Sequence, residues 1–575
     1  MKFIGFVGVR KKGGFFLSLT LLSTLYILNS CYRYKDPKTP NYEKPLIYKD
    51  RYLDTICGNL NEMRSCFDVR FYDLDLEIKP KSKSISGTVE IKFEVVTPTK
   101  QIQLELASEL VIHKIGDDHN RELNFVRRSK AIIIDLNEMY ESGAILSVFV
   151  TYSGKPQIAK NPPWKGGFVC KNSNGNPFMG VACEDDGASI WWPLKDHISD
   201  KPDSVRIACT IPKGLFCVSN GKLIEQKIIN DDCEKFIWQT SYPVNTYNIT
   251  FYIGDYRHFQ LPYKSKYGEH QLDFYVLPKN LEKAKNHFKQ CADVIRVYEE
   301  LFGEYPWWKD GYKMVESPFA GMEHQSAIAY GNGFKNNKWL QFDYIIVHET
   351  AHEWWGNKIT VCDMADLWIH EGFATYSEAL FVEKMGYSYG YGGMIYGNRF
   401  YCKNKMPVVG PSGVSYINSD DGDIYSKGSM TLHSLRYTID NDTIFFNILY
   451  RFATEYGDNC VTTSDFVNLV NEATGEDYSW LFNQFLYRRE APELVYRFKY
   501  ISEKESAFMF KWNDKNTNDD FKLPLYLYAN NEKIKFVASN KIQEIRFQKN
   551  SKFSVFIEGK QLVILTLNPD LKSAR

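Results

Sequence analysis

The 575-residue sequence has no excess of charge of either sign, with Lys plus Arg and Asp plus Glu at 70 each. A chain without surplus cations has little with which to neutralise a phosphate backbone, and this excludes nucleic acid as a partner. It also lacks a long apolar run. The apolar stretch near the N-terminus, Phe15 to Leu28, stops at fourteen residues, short of the roughly 20 needed to span a bilayer as a helix. Among twelve cysteines there is no C-x-x-C pair, and the spacings are irregular, which excludes a cysteine metal cluster. Cys57 and Cys66 form a nearby pair, but the pairing of cysteines cannot be deduced from spacing. There is no internal repeat of 20 to 50 residues, so solenoids and propellers are excluded.

What is present is the composition of a folded, multidomain chain. Hydrophobic residues make up 44% and charged residues 24%, and at this length a single core gives way to about three domains. Lys2, Arg10, Lys11 and Lys12 followed by the apolar run read as an export signal over residues 1–30. Its end, Leu28-Asn29-Ser30-Cys31, resembles a bacterial lipobox, which implies lipidation of Cys31. Residues 31–56, with Pro37, Pro40 and Pro45, read as an extended tether. The expectation is an exported cell-envelope lipoprotein held to the membrane through Cys31, on the periplasmic or outer-surface side.

Over residues 57–255 the dominant pattern is alternation, as in Val89, Ile91, Phe93 and Val95 against Thr88, Glu90, Lys92 and Glu94, the period of a half-buried strand. Phe67 to Ile78, Ile145 to Tyr152 and Tyr247 to Tyr256 are read as further strands. From Leu281 to Leu301 the apolar spacing predicts an amphipathic helix, and a mixed, then mainly helical, region extends over 256–490. Alternation returns in 491–575, where a hairpin turn is expected at Asn530-Asn531. The fold class is therefore α+β and multidomain.

The sharpest local feature is His348-Glu349-Thr350-Ala351-His352, preceded by an apolar segment without Pro or Gly. Positions i and i+4 share one helical face, so His348 and His352 can bind one Zn²⁺ through ring nitrogens. Glu349, one residue on and rotated away, can reach the attacking water as a general base. A catalytic zinc takes a third protein ligand. Glu371, separated from His352 by eighteen residues and at the head of a second helical pattern, is the candidate.

With these residues in place the chain resembles the M1 metallopeptidases of the gluzincin clan, zinc aminopeptidases. Trp368-Ile369-His370-Glu371-Gly372-Phe373-Ala374 is similar to their W-L-N-E-G-F-A segment, and Ala320-Gly321-Met322-Glu323-His324 to their G-A/G-M-E-N. In the latter, His324 stands where the family has Asn. The resemblance implies an N-terminal all-β, saddle-like domain, a thermolysin-like catalytic domain and a small C-terminal β-sandwich. It implies one zinc per chain on His348, His352 and Glu371, and peptide substrates with a free N-terminal amine. Gly321 and Met322 lie on the strand that would pair with the peptide, and Glu323 would receive its ammonium, joined by Glu184 of the N-terminal domain. Tyr425, in a Y-x-K-G segment 54 residues after Glu371, would stabilise the oxyanion. Glu378, seven residues after Glu371, would orient a zinc ligand, and Phe319 is a pocket-lining candidate. The alternatives are a thermolysin-like endopeptidase, which lacks paired amine-binding glutamates, and a noncatalytic peptide-binding lipoprotein on the same scaffold.

Overall fold

The computed structural model describes residues 58–571 apart from 415–421, 458, 530–531, 549–554 and 560, and all of these fall in one unit, 50–575. The expected leader, Cys31, the tether, Cys57 and the turn at 530–531 lie outside the described residues. The N-terminal alternation becomes a seven-stranded sheet, built from Lys222–Ile228, Cys233–Gln239, Ser204–Pro212, Phe67–Lys79, Ser84–Val95, Ile145–Gly154 and Leu110–Asp117 in that spatial order. Val89, Ile91, Phe93 and Val95 are buried, as the alternation requires. Two smaller sheets complete this region. The expected strand over Tyr247 to Tyr256 is only partly realised. A 3-10 turn occupies Thr246–Asn248 and the strand is Phe251–Gly254. Asn245 and Asn248 explain the departure, because their side-chain amides donate to Gly356 O and Asn357 Oδ1 in the catalytic region and bend the chain toward it.

A five-stranded sheet follows, in the order Arg257–Ser265, Gly268–Val276, Tyr312–Glu316, Ile328–Tyr330 and Gly321–Met322. Gly321–Met322 is thus an edge strand, antiparallel to Ile328–Tyr330. The core of the N-terminal region runs without interruption into this sheet through Val315, Phe319, Met322 and Ala329. The helix expected over Leu281 to Leu301 is two helices, α1 (Leu281–His287) and α2 (Gln290–Phe302). Between them Phe288 turns inward, its ring 4.9 Å from Phe274 and 5.0 Å from Tyr330.

The helical region then comprises α3 (Tyr344–Ala351), α4 (Trp368–Met385), α5 (Gly390–Tyr401), α6 (Asp423–Ile439), α7 (Asp442–Glu455), α8 (Thr463–Thr474) and α9 (Ser479–Phe485). None of the described helices is long and apolar enough to cross a membrane. α4 and α6 cross where Gly372 meets Gly428, and a Cβ on Gly372 would lie 2.9 Å from the Gly428 Cα. Gly372→Ala therefore has to push the two backbones apart and should destabilise this region by about 1–3 kcal/mol. A lowered thermal unfolding midpoint checks this, and an unchanged midpoint contradicts the tight crossing. The neighbouring Lys427 is buried, and its ammonium donates to the Arg488 and Arg489 carbonyls at 2.8 Å each. It ties α6 to the segment leading into the last domain.

The last domain has two sheets, of four and three strands. Phe510 and Phe536 pack across them with ring centroids 4.6 Å apart, the contact of a sandwich. Strands Pro524–Ala529 and Glu532–Val537 are antiparallel and pair Ala529 with Glu532. One disulfide is formed among the described cysteines, Cys362–Cys460, across 98 residues. Cys66, half of the nearby pair noted in the sequence, is buried and unbridged, its thiol donating to Gln101 O. A bridge closing a loop of this length stabilises by about 4–5 kcal/mol in the chain-entropy account. It fastens the loop before α4, alongside the Val361–Val461 bridge of the backbone.

Candidate metal centre and active site

The helix that carries the motif is fixed at its start. Asp343, its N-cap, is buried and accepts from the Ile345 backbone N–H, Asn332 Nδ2, Tyr330 OH and His287 Nε2. Ile345, Ile346 and Val347 anchor the next turn in the core. His348 and His352 then project from one face, and α4 brings Glu371 against them. His348 Nε2 and His352 Nε2 are 3.1 Å apart, and each is 3.5 Å from Glu371 Oε2. Ligands about 2.0–2.1 Å from a tetrahedral zinc stand about 3.3 Å from one another, which is the spacing found.

The donor chemistry fits the ion as well. His348 Nδ1 lies 2.8 Å from Glu378 Oε1, and His352 Nδ1 lies 2.8 Å from Trp355 O. A carboxylate and a carbonyl only accept, so both Nδ1 atoms carry the proton and both Nε2 lone pairs converge on one point beside a carboxylate. Two lone pairs and an anion directed at one point require a cation. The electrostatics agree. Burial works against charge on Glu371, yet His352 and His348 outweigh it and hold the carboxyl well below its usual range. Burial also works against positive charge at His352, but Glu371 and Glu323 outweigh it, so the same carboxylates that would hold a metal cation favour positive charge at this point.

Glu349 stands beside this trio without being one of it. Burial lifts its carboxyl to about 8 against the pull of His348 and His352, into the range suited to moving a proton near neutrality. Gly321 makes room for it. A Cβ at Gly321 would lie 2.3 Å from Glu349 Oε1, so the edge strand can pass this close only as glycine. Met322, next on that strand, is buried in the N-terminal core.

Glu323, Glu184 and Glu371 bring carboxylate oxygens within 4.8 Å of one another, all three buried. Burial, then Glu323 and Glu371, hold the Glu184 carboxyl well above its usual range. Such a group of anions favours a cationic partner. His324 is also buried, pushed down to about 3 by desolvation and so neutral. Its Nδ1 lies 2.5 Å from Tyr252 OH, which itself donates to Ala327 O, so the imidazole donates and ties the strand to the N-terminal core. Phe319 is buried between Gly180 and His324.

Tyr425 sits in the first turn of α6, its ring stacked 6.2 Å from that of His348. Trp164, from a loop of the N-terminal domain, donates its indole N–H to the Tyr425 hydroxyl at 3.1 Å. Reading the sequence did not single out Trp164, nor Tyr247, whose hydroxyl donates to Glu323 Oε1 at 3.1 Å. It also missed Asn357, whose Nδ2 donates to Glu323 O and Glu353 Oε2. No local signal marks the first two, because their partners are 261 and 76 residues away. Asp343 was legible in principle, as a cap residue directly before an apolar run.

Two histidines from one helix, a glutamate from the next and a second glutamate beside them define a zinc-dependent metallohydrolase centre. Two family models match the chain, the peptidase M1 N-terminal domain over residues 69–248 and the peptidase family M1 domain over 287–485. The chain belongs to peptidase family M1. It is 22% identical over 435 residues to aminopeptidase 2 of Candida albicans, covering 71% of this chain and 45% of that protein. It is 24% identical over 445 residues to aminopeptidase N of Lactococcus lactis, covering 72% of this chain and 50% of that protein. The chain thus spans about half the length of these relatives. In fold it is similar to a substituted M1 zinc metallopeptidase of Deinococcus radiodurans bound to a Tyr-Ser-Ala substrate, with a TM-score of 0.62 at 20% identity, over 74% of this chain and 94% of that one.

Proposed function

We propose that the chain is a zinc-dependent aminopeptidase that removes the N-terminal residue from peptides with a free α-amine. The observation that carries this is the packing of the Glu184 and Glu323 carboxylates against the metal-facing Glu371, oxygens within 4.8 Å. An ammonium held by the first two brings the first peptide bond, and no later one, to the metal. His348, His352 and Glu371 would hold one zinc per chain. When bound, zinc supplies Lewis-acid polarisation of water and of the scissile carbonyl. Glu349 takes the proton from the attacking water and passes it to the leaving amine. Tyr425, its oxygen steadied by Trp164, donates to the oxyanion. Glu378 holds His348 in the ligating tautomer.

Glu323→Ala tests the reading. Removing one partner of a buried charge pair should lower kcat/KM for free-amine substrates about 100-fold or more, with N-acetylated substrates unaffected. An equal loss on both would remove the amine anchor and favour an endopeptidase.

The same reading extends to location. The chain would be exported and anchored by a lipid on Cys31, in the cell envelope. Supporting it are the basic and apolar leader pattern and the Cys362–Cys460 bridge, a crosslink that persists in oxidising compartments.

A further inference from the structure

A tyrosine that the catalytic scheme does not use bonds one of the two amine-binding glutamates and lines a cavity with the other. Tyr247 is 7% exposed, sits in the 3-10 turn Thr246–Asn248, and lines the same cavity as Glu184. Its hydroxyl donates to Glu323 Oε1 at 3.1 Å, and its carbonyl accepts the thiol of Cys183, the residue before Glu184, at 3.3 Å. Asn245 and Asn248, which flank it, donate to Gly356 and Asn357 in the turn that follows His352. Tyr247 is therefore bonded to Glu323 through its side chain and to the residue before Glu184 through its backbone, and its neighbours are tied to the turn that follows His352.

Resting on the aminopeptidase reading, we infer that Tyr247 is the positioning residue of the amine clamp: its hydroxyl orients the Glu323 carboxylate toward the substrate ammonium and sets the clamp's distance from the metal. The carboxylate can only accept, so one oxygen of Glu323 is committed to the hydroxyl, which leaves the other for the ammonium. Burial, then Glu323, Glu184 and Glu371, hold the phenol far above its usual range, so it stays protonated and remains a donor. A carboxylate beside two other buried carboxylates would otherwise swing away from them, and preorganisation of this kind is what a clamp requires.

The test is a double-mutant cycle of Tyr247→Phe and Glu323→Ala in the full chain. It is read with an aminoacyl p-nitroanilide and its N-acetyl form, zinc content per chain and the thermal unfolding midpoint. The phenylalanine variant loses one oxygen and keeps the ring. A lost hydrogen bond to a charged group should raise KM for the free-amine substrate about 10-fold or more, with kcat changed less than about threefold and zinc content unchanged. In the Glu323→Ala background, Tyr247→Phe should have no further effect, because the hydroxyl acts through that carboxylate. Unchanged KM, equal losses on free and acetylated substrates, or additive effects in the double variant would each overturn the assignment. Failure of the aminopeptidase reading looks different, since the unsubstituted protein would then show no preference for the free amine.

Discussion

Glu349→Gln lowers kcat by about 10²–10⁴-fold, the span attributed to a positioned general base, and leaves zinc content and unfolding midpoint unchanged. The separation of the two outcomes follows from geometry. The converging atoms are His348 Nε2, His352 Nε2 and Glu371 Oε2, and Glu349 contributes none of them. Its carboxyl faces the edge strand at Gly321, where even a methyl group would collide with it. Glutamine keeps the shape and the burial but cannot accept a proton. Steady-state kinetics with metal analysis of the same preparation checks the prediction, and near-normal turnover would contradict the assigned base.

Glu371→Gln acts on the metal itself. The two imidazoles are locked by Glu378 and Trp355 with their lone pairs inward, and Glu371 supplies the only negative charge among the three converging ligands. Outer partners of a ligand are worth 10–100-fold in affinity, so removing charge from a direct ligand should weaken zinc binding about 100-fold or more. Competition with a chromophoric chelator measures this. Activity should return at raised zinc if metal loss is the whole effect, whereas unchanged affinity would remove Glu371 from the ligand set.

How much of this was legible in the sequence depends on distance along the chain. The His348–His352 pair and its base are separated by one helical turn, so spacing alone places them on a shared face. Glu371 and Glu378 lie on one later helix, and their seven-residue separation carries the second to His348. The strands of the N-terminal region declared themselves by alternation. The break between α1 and α2 did not, because it depends on Phe288 meeting Phe274 and Tyr330. The strand expected from Tyr247 begins only at Phe251, because Asn245 and Asn248 bond partners that lie over a hundred residues away in the chain and hold a 3-10 turn at Thr246–Asn248. Trp164 and Tyr247 escaped for the same reason. The Cys362–Cys460 bridge likewise joins residues that only the helical packing brings together.

The most direct measurement uses a soluble fragment beginning after Cys31 with aminoacyl chromogenic substrates and their N-acetylated forms, before chelation, after it, and with zinc restored. The account predicts cleavage of the free-amine substrates alone, lost on chelation and regained with zinc. Equal cleavage of blocked substrates, or zinc binding with cleavage of neither, would contradict it.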